Sequence, residues 1–370
     1  ATLQQENEVK RKEMEQTSII RIVTTLSIHL IIISTLFGPI TLAESIVSNT
    51  VQNLPTSIEI SPAHDSLQEA IAQAQPGATL QLSAGIYTEI LSINKPLHIQ
   101  GMGPSHTILS VNSSYNGYAI RVIAEGVTIR GLTIINQGPG LYTTGIKVCA
   151  DHTLIQDCSF HDTPIGIALW NSTNTISNCT FEGCDDEGIV LLGTTSTPCS
   201  NNTITCCLFI ENCDGIELQH ATHNSITSCA FSKNTHAGID AIISNNTNNT
   251  ISQCVFSDNQ GFGMFCASSS QNLITHCSFS DDTISFVHAS ENTIMYTQVH
   301  YIHLIDDSSL CIIQCTDVEE STIMTQDSSY EIIMDQPEQL LQERTPQRMV
   351  HYRYLVTVLS QIKILRSFYE

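Results

Sequence analysis

Basic residues are what this sequence most lacks: 14 Lys and Arg stand against 36 Asp and Glu, for a formal net charge of -22 over 370 residues. Nucleic acid is excluded as a partner on this ground, since binding phosphates demands clustered Lys and Arg. Aromatic residues are also scarce, at 6% with a single tryptophan, Trp170, so few side chains are available to stack on a sugar ring. Although there are 14 cysteines, no two are spaced Cys-x-x-Cys, and a structural zinc site has no motif to stand on. Charged residues make up only 14% while Asn, Ser and Thr abound, which gives a surface that is polar without being strongly charged.

What the chain has in quantity is a repeat. Ile, then Cys three residues later, then Phe two beyond, occurs at Ile155-Cys158-Phe160, Ile176-Cys179-Phe181, Ile204-Cys207-Phe209, Ile226-Cys229-Phe231, Ile251-Cys254-Phe256 and Ile274-Cys277-Phe279. Weaker copies flank them at Ile129-Leu132-Ile134 and Ile312-Cys315. Gly followed by Ile or Met recurs at Gly145, Gly166, Gly188, Gly215, Gly238 and Gly263, and an Asn stands two residues ahead of the Ile at Asn174, Asn202, Asn224, Asn249, Asn272 and Asn292. Apolar residues at alternate positions over short runs mean strands. Asn suits left-handed corners between strands, and stacked Asn side chains can satisfy one another.

Coils of twenty-odd residues with an inward row of Ile, Cys and Phe describe an all-β solenoid, a single-stranded parallel β-helix whose rungs stack about 4.8 Å apart. Its hand is expected to be right, from the general preference of parallel crossovers. Cys158, Cys179, Cys207, Cys229, Cys254 and Cys277 read as one buried column, which leaves Cys149, Cys184, Cys199, Cys206, Cys213, Cys266 and Cys311 as the candidates for disulfides. Ahead of the repeats, Leu67, Ala70, Ile71 and Ala74 form the apolar stripe of a short amphipathic helix, stopped by Pro76-Gly77 and placed to cap the first coil.

That opening, with Gly85-Ile86-Tyr87, Lys95-Pro96-Leu97 and Ile99-x-Gly101 after the helix, resembles the start of the pectin-lyase-like superfamily. The Asn-x-Ile and Gly-Ile repeats are similar to the branch holding NosD and the carbohydrate-binding and sugar-hydrolase domain. The resemblance spans about Ser57 to Thr316 and implies the β-helix fold, with a polysaccharide or surface glycan as partner. It is specific for fold and weak for activity, because members include hydrolases, lyases, epimerases and surface proteins without a reaction. The polygalacturonase pattern is missing apart from Asp185-Asp186, and Lys and Arg are too rare in the repeats to favour a lyase. No cofactor has a motif here; calcium is named only because carboxylates cluster, and copper only through the NosD likeness.

Candidate site residues come from aligning the coils on the Gly-Ile element. Glu217 and Asp240 take the same outward position on successive coils, with Asp214, Asp186, Asp185 and Glu187 just before the glycines and His236 nearby. Glu217, Asp240, Asp214 and Asp186 are therefore the candidate catalytic carboxylates, and Trp170 and His236 the candidate substrate-binding residues. Three readings stand at this stage: a solvated acidic face on a protein that merely binds glycans, a catalytic carboxylate pair, and a cation site. His220 and His223 are spaced too commonly to argue for metal by themselves.

The expected organisation runs as an upstream extension over 1–17, a signal peptide or membrane anchor over 18–43, and an N-terminal cap with first coils over 57–125. Repeats over 126–317, an irregular closing segment over 318–348, and strands of a cap or following domain over 349–370 complete it. The basic flank and apolar run to Ala43 point to an exported monomer, extracellular or periplasmic, touching membrane only through that segment.

Overall fold

The computed structural model describes residues 57–242, 245–313, 315 and 323–333. The expected leader at 18–43, the stretch at 1–17, most of the closing segment at 318–348 and the strands at 349–370 lie outside these residues. Among the described residues, short strands assemble into parallel sheets of 13, 11, nine and four strands. Each coil of the right-handed β-helix contributes in turn to the 13-, nine- and 11-stranded sheets, and four consecutive coils add a two-residue strand to the smallest.

Every column expected from the repeat is present. Ile129, Ile155, Ile176, Ile204, Ile226, Ile251 and Ile274 pair in register along the 13-stranded sheet and are buried. The Phe rings behind them stack almost parallel from Phe160 to Phe279, with centroids 4.2–5.0 Å apart. Each cysteine of the inner column donates its thiol to the carbonyl two residues earlier at 3.2–3.4 Å. A small, weakly polar side chain suits this position, because it fills the core and still has an acceptor.

The glycine of the Gly-Ile element has a steric reason. A Cβ on Gly215 would lie 2.7 Å from the Phe231 ring and 2.5 Å from the Gly238 carbonyl oxygen. The stacked rings thus press against the backbone of the 11-stranded sheet, and only a residue without a side chain admits them.

The asparagine ladder holds, with one correction. Asn202, Asn224, Asn249 and Asn272 are buried and each donates Nδ2 to the Oδ1 of the next, at 3.0–3.1 Å. The left-handed corner, however, is the residue before each ladder position: Thr173, Asn201, His223, Asn248, Gln271 and Glu291 have φ between 56° and 58°. The ladder Asn closes the corner by hydrogen bonding and leaves the turn to its exposed neighbour. A second ladder, Asn212, Asn234, Asn259 and Asp282, runs three residues after the Phe column in the same manner.

Cys184, Cys199 and Cys266, expected to form bridges, are instead free thiols in the core, and burial pushes their thiols upward in pKa. The helix at Leu67–Gln73 is N-capped by Ser66 and buries Leu67 and Ile71 in the same core. At the other end, strands Ile323–Gln326 and Ser329–Ile333 extend the 11- and 13-stranded sheets through a segment that reads as irregular. They keep the alternation at Ile323 and Ile332 after the Cys-Phe signature is lost. Among the described residues no helix is long and apolar enough to cross a membrane.

Candidate functional site

The inner side of the 11-stranded sheet belongs to the core, and its outer side carries the chemistry. Register along that sheet places one outward residue per strand in a row: Arg121, Lys147, Ala168, Val190, Glu217, Asp240, Phe265, Ser285 and His303. A second row, three residues earlier on each strand, holds Tyr118, Thr144, Ile165, Glu187, Asp214, Ala237 and Phe262. Read along the helix axis, the face passes from cations to an apolar strip of Ile165, Ala168 and Val190, then to carboxylates, then to aromatic rings.

Glu217 and Asp240 are adjacent-strand partners, as the alignment expects. Their exposure is the correction. Far from a solvated face, Glu187, Asp214, Glu217 and Asp240 are all nine-tenths buried or more, with Asp240 at 2%. Asp186 is half-buried beside them and Asp185 is exposed. Glu187, grouped with the acids before the glycines but not among the candidate catalytic carboxylates, faces Asp214 across the strands.

The electrostatics follow from this burial. Water is withdrawn from several carboxyl groups at once, and each charge opposes the ionisation of the others. Burial foremost, and then the neighbouring Glu217 carboxyl, push Glu187 up to about 10. Burial and the charges of Asp214 and Glu217 push Asp240 up to about 8. Asp214 and Asp186 are raised by burial as well, Asp214 against the pull of His236. At neutral pH the face therefore holds protons on Glu187 and Asp240. The contact between the Glu187 and Glu217 carboxyls is favourable only with a proton between them.

His236 is the one counter-group within the cluster. Its Nδ1 lies 2.9 Å from Asp214 Oδ1 and 3.4 Å from Asp240 Oδ2, and its ring is half-exposed against Phe262 and Phe265. Gln219 donates its side-chain amide to Glu217 Oε1. Two oxygens aimed into the cluster, Glu187 Oε2 and Asp240 Oδ1, have no hydrogen-bond partner. A buried polar atom without a partner costs about 1–3 kcal/mol, so a fold that keeps two of them on one face pays for something other than stability.

Trp170 follows the strand Ile165–Leu169 on the same sheet and is 48% exposed, with Lys147 Nζ 4.9 Å from its ring centroid. It is two strands removed from Glu217, so it flanks the acids without touching them. His220 and His223 take left-handed backbone at the corners around Ala221–Thr222 and do not join the cluster.

Asp214, His236 and Asp240 bring ligand atoms within 4.8 Å of one another. Two carboxylate oxygens and an imidazole suit a divalent ion such as Cu(II), Zn(II) or Mn(II), whereas Cu(I) prefers thiolate or thioether sulfur. Calcium fits less well, since it takes six to eight oxygen ligands. The partnerless Asp240 Oδ1 is the feature that a bound cation would satisfy.

A family model described as periplasmic copper-binding protein (NosD) matches residues 103–308, which include the whole cluster. Among solved structures, the catalytic domain of GH87 alpha-1,3-glucanase in complex with nigerose aligns with a TM-score of 0.53 at 14% identity, over 76% of this chain and 66% of that one. The A-module of the Azotobacter vinelandii mannuronan C-5 epimerase AlgE4 aligns with a TM-score of 0.50 at 14% identity, over 73% of this chain and 91% of that one. At such identities the likeness is one of fold. No curated protein sequence matches the chain.

Proposed function

The chain belongs to the NosD family, and from that premise we propose that it is an exported β-helix protein that holds glycan chains along the outer face of its 11-stranded sheet and cleaves them by acid–base chemistry. The observation that carries this reading is the burial of Glu187, Asp214, Glu217 and Asp240 on that one face with His236 as their only counter-group among the described residues. Acids on a mere binding surface would be expected to stay hydrated, because stacked like charges destabilise a sheet.

Each residue then has a role. Asp240, holding a proton at neutral pH, donates it to the glycosidic oxygen as that oxygen leaves the anomeric carbon; Glu217, which faces it, bonds to that carbon, and a water then releases the sugar and returns the proton to Asp240. The rung spacing of about 4.8 Å is near the separation of about 5–5.5 Å between the carboxyl groups of retaining glycosidases. Asp214 orients His236 toward the substrate, Glu187 keeps a proton in reserve beside Glu217, and Trp170 stacks on a sugar further along the face. The family description and the apolar segment at 18–43 support a place of action in the periplasm or at the cell surface. Residues 57–125 would serve as cap and first coils, and 126–317 as the working repeats.

The test is to incubate the full chain with uronic-acid and neutral polysaccharides and to separate the products by chromatography. Shorter oligosaccharides from at least one polymer are expected. Binding without any product would leave a surface adhesin and defeat the reading.

A second reading is favoured by the geometry at Asp214, His236 and Asp240, whose ligand atoms cluster around the partnerless Asp240 Oδ1. On this reading the three residues hold a divalent cation, copper(II) by family, which would neutralise the buried acids. Titration calorimetry with Cu²⁺ and Zn²⁺ separates the two: binding at one equivalent, lost in His236→Ala, supports the metal site, and no heat of binding rejects it.

A further inference from the structure

Between residues 57 and 333 the chain has five basic side chains: Lys95, Arg121, Arg130, Lys147 and Lys233. Three are engaged. Lys95 Nζ donates to the carbonyls of Ala72 and Ala74, Arg130 pairs with Asp157 at 3.2 Å, and Lys233 with Glu211 at 3.3 Å. Arg121 and Lys147 form no ion pair among the described residues, yet they are direct partners on adjacent strands of the face that leads to the acids. Like charges set opposite each other destabilise a sheet, and here no carboxylate among the described residues relieves them.

Their surroundings are those of a ligand site. The Arg121 guanidinium lies against Tyr118 and Cys149, and the Lys147 ammonium is held over the ring of Trp170, the sole tryptophan. From Lys147 the outward row runs through Ala168 and Val190 to Glu217, three rungs or about 14 Å at the usual strand spacing. The floor between them is apolar, as a surface must be to lie beneath sugar rings.

We propose that the glycan bound on this face is anionic, and that Arg121 and Lys147 hold a carboxylate or sulfate group on it while Trp170 stacks on an adjoining sugar. This inference rests on the proposed glycan function and adds the substrate class to it. The pair supplies the anion with a counter-charge that is scarce in a protein of net charge -22. It also fixes which way the chain lies: an acidic sugar at the cation pair, and the reacting bond a few sugars away at Glu217 and Asp240.

Because Trp170 is the only tryptophan, its fluorescence reports on this site without a label. The full chain is titrated with oligomers of polygalacturonate, with dextran sulfate and with uncharged dextran of matched length, following that fluorescence together with calorimetry. Polygalacturonate or dextran sulfate is expected to shift the emission and to bind more tightly than dextran, and whichever binds identifies carboxylate or sulfate. In an Arg121→Gln/Lys147→Gln variant that affinity should fall about tenfold or more, the worth of one or two charged hydrogen bonds. Both side chains lie on the outer face, so circular dichroism should match the wild type, and thermal unfolding should come no earlier, since the variant loses a like-charge pair. Equal binding of charged and uncharged oligomers, or an anion preference that survives in the double variant, overturns the inference and leaves the proposed function standing. Failure of every glycan to bind would remove that function and this inference with it.

Discussion

Glu217 stands directly opposite Asp240 on the neighbouring strand, and both carboxyl groups are buried on the outer side of the sheet. Two acids so placed cannot both ionise without a large electrostatic cost. The pair therefore links the chemistry of the face to the stability of the whole molecule.

Stability should fall as the pH rises. Asp240 is pushed from an ordinary carboxylate value up to about 8 by burial and the charges of Asp214 and Glu217. Between pH 4 and 8 the folded chain thus holds a proton that the unfolded chain has released, so raising the pH favours unfolding. This contribution is fully present below the ordinary carboxylate range and is lost through about 8; Glu187, pushed to about 10, extends the trend upward. Thermal melts from pH 5 to 9 should give a Tm that declines by several degrees, and Asp240→Asn, which mimics the protonated acid, should flatten that decline.

The phenylalanine stack should bear much of the core. Phe209 lies between Phe181 and Phe231 with centroids 5.0 and 4.8 Å away, and it is fully buried. Phe209→Ala should destabilise by about 3–5 kcal/mol, the usual loss for a large buried ring. Denaturant unfolding measures it, and a loss below about 1 kcal/mol would mean that the coils close over the gap.

The asparagine ladder makes a sharper comparison. Asn224 accepts from Asn202 and donates to Asn249 Oδ1 and to the Cys199 carbonyl, all within the core. Asn224→Ala removes the acceptor of the Asn202 backbone N–H and side-chain amide and the donor to the Cys199 carbonyl, and should cost about 1–3 kcal/mol. The exposed corner residue Asn248 should tolerate alanine far better, losing little beyond its left-handed backbone preference. Equal losses at the two sites would contradict the division of labour between ladder and corner.

Much of this was legible in the residues themselves, since a strict Ile-Cys-Phe spacing leaves few ways to fold. The columns, the Asn-to-Asn satisfaction and the pairing of Glu217 with Asp240 all follow from aligning one coil on the next. What periodicity conceals is the fate of the outer face. An outward position is exposed or covered according to what the neighbouring rungs present, and here Phe265, His236 and Gln219 surround the acids. The second ladder was present as Phe-x-x-Asn at Phe209, Phe231 and Phe256, and was hidden by the stronger Cys signal. Glu187 stands in the sequence with the acids before the glycines but not among the catalytic candidates, because an acid before a glycine reads as a turn residue until its register against Asp214 is known.

The most direct test is the rate of polysaccharide cleavage by the wild-type chain beside Glu217→Gln and Asp240→Asn, each checked for an intact fold. Cleavage by the wild type, reduced in each variant by about a hundredfold to ten-thousandfold, is the predicted result, this being the usual contribution of general acid–base catalysis. Cleavage that both variants retain, or a wild type that cleaves no polysaccharide, would contradict the claim that the buried carboxylates act on a glycan.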